Sequence, residues 1–369
     1  MQLFQDTEKI SSHQALSLVL TSGLGDIFVV ISVPAIADAG RDGWIPVLLG
    51  YALTIIVALF LVNLGHRFPK KTIVQYLPNV LGKFIGKALG LAYILAMWAM
   101  SLVIFREARE VVGFFLPKTP QFAIGILIAI LIIYTMKKGI EVFARVTEVL
   151  IVIMIISIIF VIIASLVESN PKNLLPILED GYEPIIKGLI TPFSYGMETI
   201  LFAALWLPCL NDKNKSKKAL VTGLSISGIL LTLLVVTNIA FTGIKYSVEL
   251  TYPIFYMFTY IDIGNFLRGF ESIFMLIWIT SSYIEILVFF YPPVVGLAQW
   301  FNLKDYKALI IPMFIITWWM SLIPSSLMEN LAVDKFVGDY IKMPIGLSVV
   351  IVWLIAAIRK FDESKAVHR

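Results

Sequence analysis

The stretch Thr21-Ser22-Gly23-Leu24-Gly25-Asp26 places two glycines and a carboxylate inside the first long apolar segment of the chain. A helix in lipid must satisfy its backbone groups internally, so unwound backbone at membrane depth occurs only where protein or a water-filled cavity surrounds it. This stretch therefore predicts a discontinuous first helix whose exposed backbone forms half of a small-molecule site. The alternative is that the two glycines only allow helices to pack closely.

The composition of the whole chain is that of a polytopic membrane protein. Of its 369 residues, 59% are hydrophobic and 15% are charged, and the mean hydropathy is +0.89. The long runs are apolar on every side instead of alternating in polarity, which favours helices over a transmembrane barrel. We predict an all-α protein with ten transmembrane helices, each able to cross a bilayer core of about 30 Å. The predicted spans are residues 12–37, 44–64, 86–113, 121–137, 143–166, 187–209, 219–243, 269–298, 307–325 and 341–358.

Several classes of function are disfavoured by the residues present. The single cysteine, Cys209, allows no internal disulfide, and the three histidines lie near segment ends, so we predict neither a metal site nor a cofactor. No nucleophile and base occur together as an enzyme would need, and no basic soluble domain is present for nucleic acid. The first residues lack the pattern of a signal peptide, so we expect the first helix to remain in the mature protein.

The distribution of basic residues predicts the orientation in the lipid bilayer. With the N-terminus in the cytoplasm, most of the 29 lysines and arginines fall on the inner side, including the run Lys213-Asn214-Lys215-Ser216-Lys217-Lys218. Ten spans then place both termini in the cytoplasm, with residues 359–369 as a cytoplasmic tail. We therefore expect a multi-pass membrane protein.

The connection at residues 167–186 divides the chain into two halves of five spans. We predict one transmembrane domain over residues 1–369, with a first repeat at 12–166 and a second at 187–358. A second long connection, residues 244–268, is rich in aromatic residues and predicts an outer helix or lid at the membrane interface.

The sixth span repeats the pattern of the first. Thr191-Pro192-Phe193-Ser194-Tyr195-Gly196-Met197-Glu198 again joins a helix breaker and a small residue to an acid. Interrupted spans at corresponding positions of two halves indicate an inverted-repeat transporter fold with a site near the bilayer midplane, here with discontinuous helices 1 and 6. Free amides at such a break suit a carboxylate and free carbonyls suit an ammonium, so a zwitterion such as an amino acid fits.

The candidate ligand site combines both breaks with polar and aromatic residues of the third span. A carboxylate at mid-depth costs about 3 kcal/mol or more unless it is paired or faces water. We therefore expect Asp26 to meet the ammonium of a ligand, a proton, a metal ion, or Arg106 or Arg109, whereas Arg106 is also placed to pair with Glu110. The candidate ligand-binding residues are Ser22, Gly23, Leu24, Gly25, Asp26, Trp98, Ser101, Phe193, Tyr195, Gly196, Met197 and Glu198.

A possible ion or proton site lies where the eighth span would approach the first. Thr280, Ser281 and Ser282 carry hydroxyls, and Glu285 follows about one turn later, where it could face the same cavity. Hydroxyls in membrane helices often bond back to their own backbone, which is the structural alternative. The candidate ion or proton residues are Asp26, Thr280, Ser281 and Glu285.

Motifs spread over nearly the whole chain are similar to the endospore germination permease family, the B-subunits of nutrient germinant receptors in the amino acid–polyamine–organocation superfamily. Examples are Leu64-Gly65-His66-Arg67-Phe68-Pro69 and Gly296-Leu297-Ala298-Gln299-Trp300-Phe301. Further similar stretches are residues 39–49, 81–87, 173–178, 193–198 and 206–208. The resemblance implies a LeuT-type fold, a place in the spore inner membrane, and assembly with an A-subunit and a lipoprotein C-subunit. It also implies that a small nutrient binds as a signal.

One position departs from the family pattern. Family members usually have an apolar or small residue where Asp26 follows the glycines, whereas Glu198 matches an acid of the family's sixth span. Two functions remain open from the sequence. The first is a receptor subunit that binds a germinant, commonly an amino acid, and signals to its partners. The second is a proton- or cation-coupled transporter of an amino acid or amine.

Overall fold

The computed structural model describes residues 9–25, 30–250, 252–260, 271–361 and 363. The described residues form helices and connecting turns, with one isolated β-bridge between Ile10 and Leu210. In chain order the α-helices are α1 (Ser12–Leu24), α2 (Ser32–Ala39), α3 (Trp44–Arg67), α4 (Ile73–Leu81), α5 (Lys83–Phe115), α6 (Gln121–Lys138), α7 (Ile140–Ser165), α8 (Glu183–Gly188), α9 (Ile190–Trp206), α10 (Ser216–Glu249), α11 (Pro253–Tyr260), α12 (Glu271–Trp300), α13 (Lys307–Met320), α14 (Leu327–Val337) and α15 (Met343–Ile358).

Eight helical segments of the described chain are long and apolar enough to cross a membrane. They are Trp44–Arg67, Lys83–Phe115, Gln121–Lys138, Ile140–Ser165, Glu183–Cys209, Lys213–Glu249, Trp278–Trp300 and Leu327–Ile358. They match predicted spans two to eight and ten. The shorter apolar helix α13 matches span nine, and α1 and α2 together occupy span one.

The first helix begins and ends where its sequence dictates. At its start, Ser11 Oγ accepts from Gln14 N–H at 3.1 Å while Gln14 Oε1 accepts from Ser11 N–H at 2.8 Å. This reciprocal capping box satisfies amides that have no partner within the helix. At its end, Gly25 donates its N–H to the Thr21 carbonyl at 2.8 Å and turns the chain out of the helix.

Hydrogen bonds at the two ends of the bundle show which chain segments lie together at each end. On the N-terminal side, Ile10 N–H donates to the Cys209 carbonyl and Asn211 N–H to the Ile10 carbonyl, both at 3.0 Å. On the opposite side, Asp42 accepts from Leu178 N–H at 2.9 Å. The start of α1 is therefore joined to the connection after α9, and the midpoint connection is joined to the end of α2.

The interruption of span six lies at Leu189, between α8 and α9, and not within residues 191–198 as the sequence suggested. Leu189 keeps helical dihedral angles, and Phe193 N–H donates to its carbonyl at 3.2 Å. Pro192 is the third residue of α9, a position where a backbone N–H has no partner within the helix. The proline therefore interrupts nothing, and α9 runs without a gap through Tyr195 and Glu198.

Span ten begins earlier than residue 341. The helical segment starts at Leu327 and passes through a π-helical turn, Gly338–Lys342, before α15. The charged residues Asp334, Lys335 and Asp339 lower the hydropathy of this part of the sequence, and the predicted span begins after them. Inside the bundle Lys342 is paired with Glu198 and therefore does not end the span.

Two other predicted features lie only partly within the described residues. Of the predicted outer segment 244–268, residues 253–260 form α11, whereas 251 and 261–270 lie outside the described residues. Helix α10 continues past the expected end at 243, with a kink at Gly243, where φ is 71° and a side chain would be strained. The lid role and the repeat bounds 12–166 and 187–358 stay predictions.

Candidate functional site

The end of α1 contacts a buried carboxylate of α12. A Cβ built on Gly25 would lie 2.6 Å from Glu285 Oε1 and 2.7 Å from its Cδ. Glu285 is 2% exposed. Only a residue without a side chain lets this carboxylate approach the backbone so closely. The sequence predicted that Glu285 faces the same region as the first break, and the structure places it there.

The last turn of α1 is held by polar contacts to α9 and α3. Ser22 Oγ donates to Thr199 Oγ1 at 3.1 Å, and Tyr51 Oη donates to the Gly23 carbonyl at 2.7 Å. A Cβ on Gly23 would lie 2.8 Å from Ser227 Oγ. Gly23 therefore allows α10 to pack closely, as the packing alternative states, while its carbonyl is held by a hydroxyl.

Asp26 lies outside the described residues. The two arginines considered as its partners have other contacts: Arg106 pairs with Glu110, and Arg109 Nη2 donates to Ser321 Oγ at 2.9 Å. The predicted pairing of Arg106 with Glu110 is thus confirmed. The role of Asp26 stays a prediction.

A buried ion pair joins α9 to the π-helical turn before α15. Lys342 Nζ contacts Glu198 Oε1, and the side chains are 0% and 2% exposed. Removing two charges from water costs several kcal/mol per ion, and only close pairing offsets that cost. Ionisable residues inside a membrane domain mark functional positions by default, and π-helical turns are frequent at functional sites.

From this ion pair, polar contacts continue to the wall of a cavity. Lys342 Nζ lies 5.4 Å from the centre of the Tyr195 ring, and Tyr195 Oη donates to Asp334 Oδ2 at 3.4 Å. Asp334 Oδ1 is buried and has no hydrogen-bond partner among the described residues. Tyr195 therefore connects a buried charge pair to a carboxylate at the cavity surface.

The cavity has a volume of about 380 Å³ and opens between α2, α9, α14 and the end of α10. This volume is in the range of small-molecule sites, which are mostly apolar with a few polar groups. Its polar and charged members are Thr191, Tyr195, Glu249, Asp334 and Lys335. Its apolar members are Val30, Val33, Pro34, Val248, Leu250, Met328 and Leu331.

Comparison with known sequences identifies the family of this helical bundle. The sequence profile of the family described as spore germination protein matches residues 9–328. The chain belongs to the spore germination protein family. Its similar relatives include spore germination protein KB of Bacillus subtilis (strain 168), which is 28% identical over 312 residues, covering 83% of this chain and 82% of the relative.

Solved structures of transporters share the fold of this spore germination family member. The crystal structure of MhsT in complex with L-phenylalanine matches with a TM-score of 0.73 at 14% identity, over 93% of this chain and 88% of that one. A substrate-bound Na⁺-coupled sialic acid symporter matches with a TM-score of 0.68 at 14% identity, over 96% and 91% of the two chains. The predicted LeuT-type fold is confirmed.

Some predicted site residues of this family member lie elsewhere. Trp98 Nε1 donates to Thr317 Oγ1 of α13 at 2.9 Å, and Ser101 Oγ donates to the Trp98 carbonyl at 2.7 Å. Ser281 Oγ donates to the Trp278 carbonyl of its own helix at 3.0 Å, as the structural alternative for these hydroxyls states. Trp98 therefore joins two helices, whereas Ser101 and Ser281 bond within their own helices.

The remaining candidates pack against neighbouring helices. A Cβ on Gly196 would lie 2.0 Å from Thr54 Oγ1, and a Cβ on Gly346 would lie 2.7 Å from Met197 Sδ. The backbone nitrogen of Phe193 lies next to α3. Leu24 is buried in the core and Thr280 is partly buried. Of the described residues that were predicted to bind ligand, only Tyr195 lines the cavity.

Sequence reasoning missed Lys342, Asp334 and Tyr51. The sequence places Asp334 in the connection before predicted span ten, Lys342 at the second position of that span, and Tyr51 in an ordinary apolar helix. One signal was available: no run of turn residues separates Leu327 from Ile358, so a single long helix carrying charges at mid-depth was readable. Charges inside such a helix indicate buried partners.

Proposed function

We propose that this protein is a germinant receptor subunit that binds a small nutrient, an amino acid, and passes the signal to an A-subunit and a lipoprotein C-subunit in the spore inner membrane. Membership in the spore germination protein family supports the biological setting. The observation that carries the binding role is the contact path from the cavity carboxylate Asp334 through Tyr195 to the Lys342–Glu198 ion pair.

The cavity suits a zwitterion with an apolar side chain. Asp334 offers a carboxylate with a free oxygen to an ammonium group, and Lys335 at the rim offers a cation to a carboxylate. Val33, Pro34 and Leu331 supply an apolar wall. The sequence also predicts a contact between the ligand and Asp26, which lies outside the described residues.

Binding would act through the helices that meet at the ion pair. An ammonium at Asp334 competes with the Tyr195 hydroxyl for the carboxylate, and Tyr195 also contacts Lys342. A ligand shifts a conformational equilibrium only by its difference in affinity for the two states. Here the difference arises because Asp334 bonds either to Tyr195 or to the ligand, so α9 and α14 are held together differently in the two states.

The test measures amino acid binding to the purified protein by thermal shift across a panel of amino acids, with Asp334→Asn as the variant. We expect Asp334→Asn to weaken binding by at least tenfold, because a neutral amide replaces the carboxylate that meets the ammonium. Asp339→Asn is the matched control, since this aspartate lies on the next turn but does not line the cavity. Equal losses in both variants, or no binding by the wild type to any amino acid, would remove the proposal.

A coupled amino acid transporter is the second candidate function, favoured by the fold shared with substrate-bound symporters. Alternating access would require the N-terminal side to open, which would separate Ile10 from Leu210. The test is a disulfide between Ile10→Cys and Leu210→Cys in a Cys209→Ser background. Neighbouring bridged strands lie about 4.8 Å apart, within disulfide range. Uptake into liposomes that stops on oxidation and returns on reduction supports transport, whereas ligand binding without any uptake supports the receptor.

A further inference from the structure

A second cavity, unrelated to the proposed nutrient site, lies on the N-terminal side between the first turns of α1 and α10. Its volume is about 240 Å³. We call it the α1/α10 groove, and its lining residues are Ser12, His13, Leu16, Lys215, Lys218, Ala219 and Thr222. It is polar and basic at one end, and Leu16 and Ala219 provide apolar wall.

The charge around the groove is positive. His13, Lys215 and Lys218 are exposed, and neither His13 nor Lys218 has a hydrogen-bond or ion-pair partner among the described residues. Asp212 is a nearby acid, and its Oδ2 lies 3.7 Å from Lys215 Nζ.

The start of α10 is already capped by an acid. A 3₁₀ turn, Lys213–Lys215, leads directly into α10, and Asp212 Oδ1 accepts from Asn214 N–H at 3.1 Å at its beginning. Asp212 also pairs with Lys215, whereas Lys218 in the first turn of α10 has no ion-pair partner among the described residues. The charge of Lys218 therefore remains available to an anion in the groove.

The position of the groove selects the kind of anion. At the groove α10 begins a segment long and apolar enough to cross a membrane, and α1 packs against it, so the groove lies at the membrane boundary. Basic pockets between membrane helices suit the head groups of anionic lipids. We propose that the α1/α10 groove binds the phosphate diester of an anionic phospholipid, with an acyl chain along Leu16 and Ala219.

A lipid here would hold the two helices together. Ser12 and His13 belong to α1, whereas Lys215 and Lys218 belong to the start of α10. The chain just before α1 also forms the Ile10–Leu210 bridge that joins the N-terminal side. A phosphate bound by both helices stabilises this joined arrangement, and opening of the N-terminal side would require its release.

The experiment uses the full chain in nanodiscs and compares Lys218→Gln with Lys217→Gln. Both changes remove one charge from the same helix turn, but Lys217 does not line the groove. Phosphatidylglycerol is titrated into phosphatidylcholine discs, and apparent affinity is read from the unfolding midpoint. We expect Lys218→Gln to weaken phosphatidylglycerol binding by roughly fivefold, the equivalent of about 1 kcal/mol for one lysine at an anionic surface. Lys217→Gln should change it by less than about twofold.

Two further arms separate the sources of the anion. Inorganic phosphate added at equal concentration should give no comparable stabilisation, and if it does, the groove is a free-phosphate site and the lipid proposal is wrong. If Lys217→Gln and Lys218→Gln weaken phosphatidylglycerol binding equally, the lipid is attracted by general surface charge and the proposed groove site is wrong. A variant lacking residues 2–8, which include Asp6 and Glu8, is the last arm. A lipid effect that is absent in the intact protein and present only after this deletion would assign the groove to the chain's own acidic segment.

Discussion

The first and sixth spans carry the same sequence pattern and fold differently. In each, small residues precede an acid inside an apolar segment. Helix α1 ends at this pattern, with Gly25 as its last cap, whereas α9 passes through it without interruption. The pattern therefore marks close approach between helices, and the position of the proline and the caps decides whether the backbone leaves the helix.

The two spans also differ in how they contact a buried charged side chain. In α9, Glu198 is buried against Lys342, and Gly196 fits against Thr54 of α3. At the end of α1, the glycine backbone meets the carboxylate of Glu285 from α12. In span one, therefore, the backbone lies against a carboxylate of another helix. In span six, a charged side chain pairs with a side chain of opposite charge. We expect the first to depend on the absence of a Cβ and the second on charge pairing.

The largest effect should follow from breaking the charge pair. Lys342→Met leaves Glu198 buried without its cation, and such a loss destabilises a protein by about 3–5 kcal/mol. We expect a large fall in the unfolding midpoint of the purified protein, measured in detergent. Glu198→Gln combined with Lys342→Met should regain most of the stability, because neither charge is then buried alone. If Lys342→Met unfolds at the wild-type temperature, the pair contributes little to holding α9.

The fold was readable from the sequence because it depends on patterns that repeat over many residues. Runs of apolar residues, the basic run at 213–218 and the polar midpoint at 167–186 each have a direct physical meaning in a bilayer. The approach of Glu285 to the first break was also predictable, since an acid about one turn beyond a hydroxyl cluster faces a similar direction. These inferences need no knowledge of which helices touch.

The ion pair between Glu198 and Lys342 could not be predicted from the sequence, because it depends on which helices touch. Glu198 and Lys342 are 144 residues apart, and only the packing of α9 against the π-helical turn makes them partners. Lys342 is the second residue of predicted span ten, where it resembles any basic residue at a membrane boundary, so the sequence predicted no buried partner for it. The continuity of α9 was missed for a related reason: whether Gly196 loosens a helix or fits a neighbour depends on Thr54, which lies on another helix.

Two glycine substitutions should have effects of intermediate size. One should mainly lower stability, and the other should mainly lower the response to amino acids. In Gly196→Ala the new methyl meets Thr54 Cβ at 2.8 Å as well as its hydroxyl, a contact between packed helices that should cost about 1–3 kcal/mol of stability. In Gly25→Ala the three atoms nearest the new methyl all belong to the carboxylate of Glu285, the far end of a flexible side chain. We expect Gly25→Ala to keep more of its stability and to lose more of its amino acid response.

Both quantities come from one thermal shift series, the midpoint without ligand and its rise with ligand. Thr54→Ala in the Gly196→Ala background is the control, because removing the opposing side chain should restore part of the midpoint there. The same change should not rescue the response of Gly25→Ala. Equal stability losses in the two glycine variants would mean that Gly25, like Gly196, serves packing alone.

The smallest loss of stability should follow from removing the Tyr51 hydroxyl, which bonds to the end of α1. The last carbonyls of a helix have no partner within it, and Tyr51 Oη supplies one to Gly23 from α3 at 2.7 Å. Tyr51→Phe keeps the ring and removes this bond, so stability should fall by about 0.5–1.5 kcal/mol. Tyr76→Phe is the matched control, because the Tyr76 hydroxyl is equally buried but has no partner among the described residues. If only Tyr51→Phe loses stability, span one is held in place through its backbone carbonyl at Gly23. If both variants lose the same amount, the proposed difference between span one and span six is wrong.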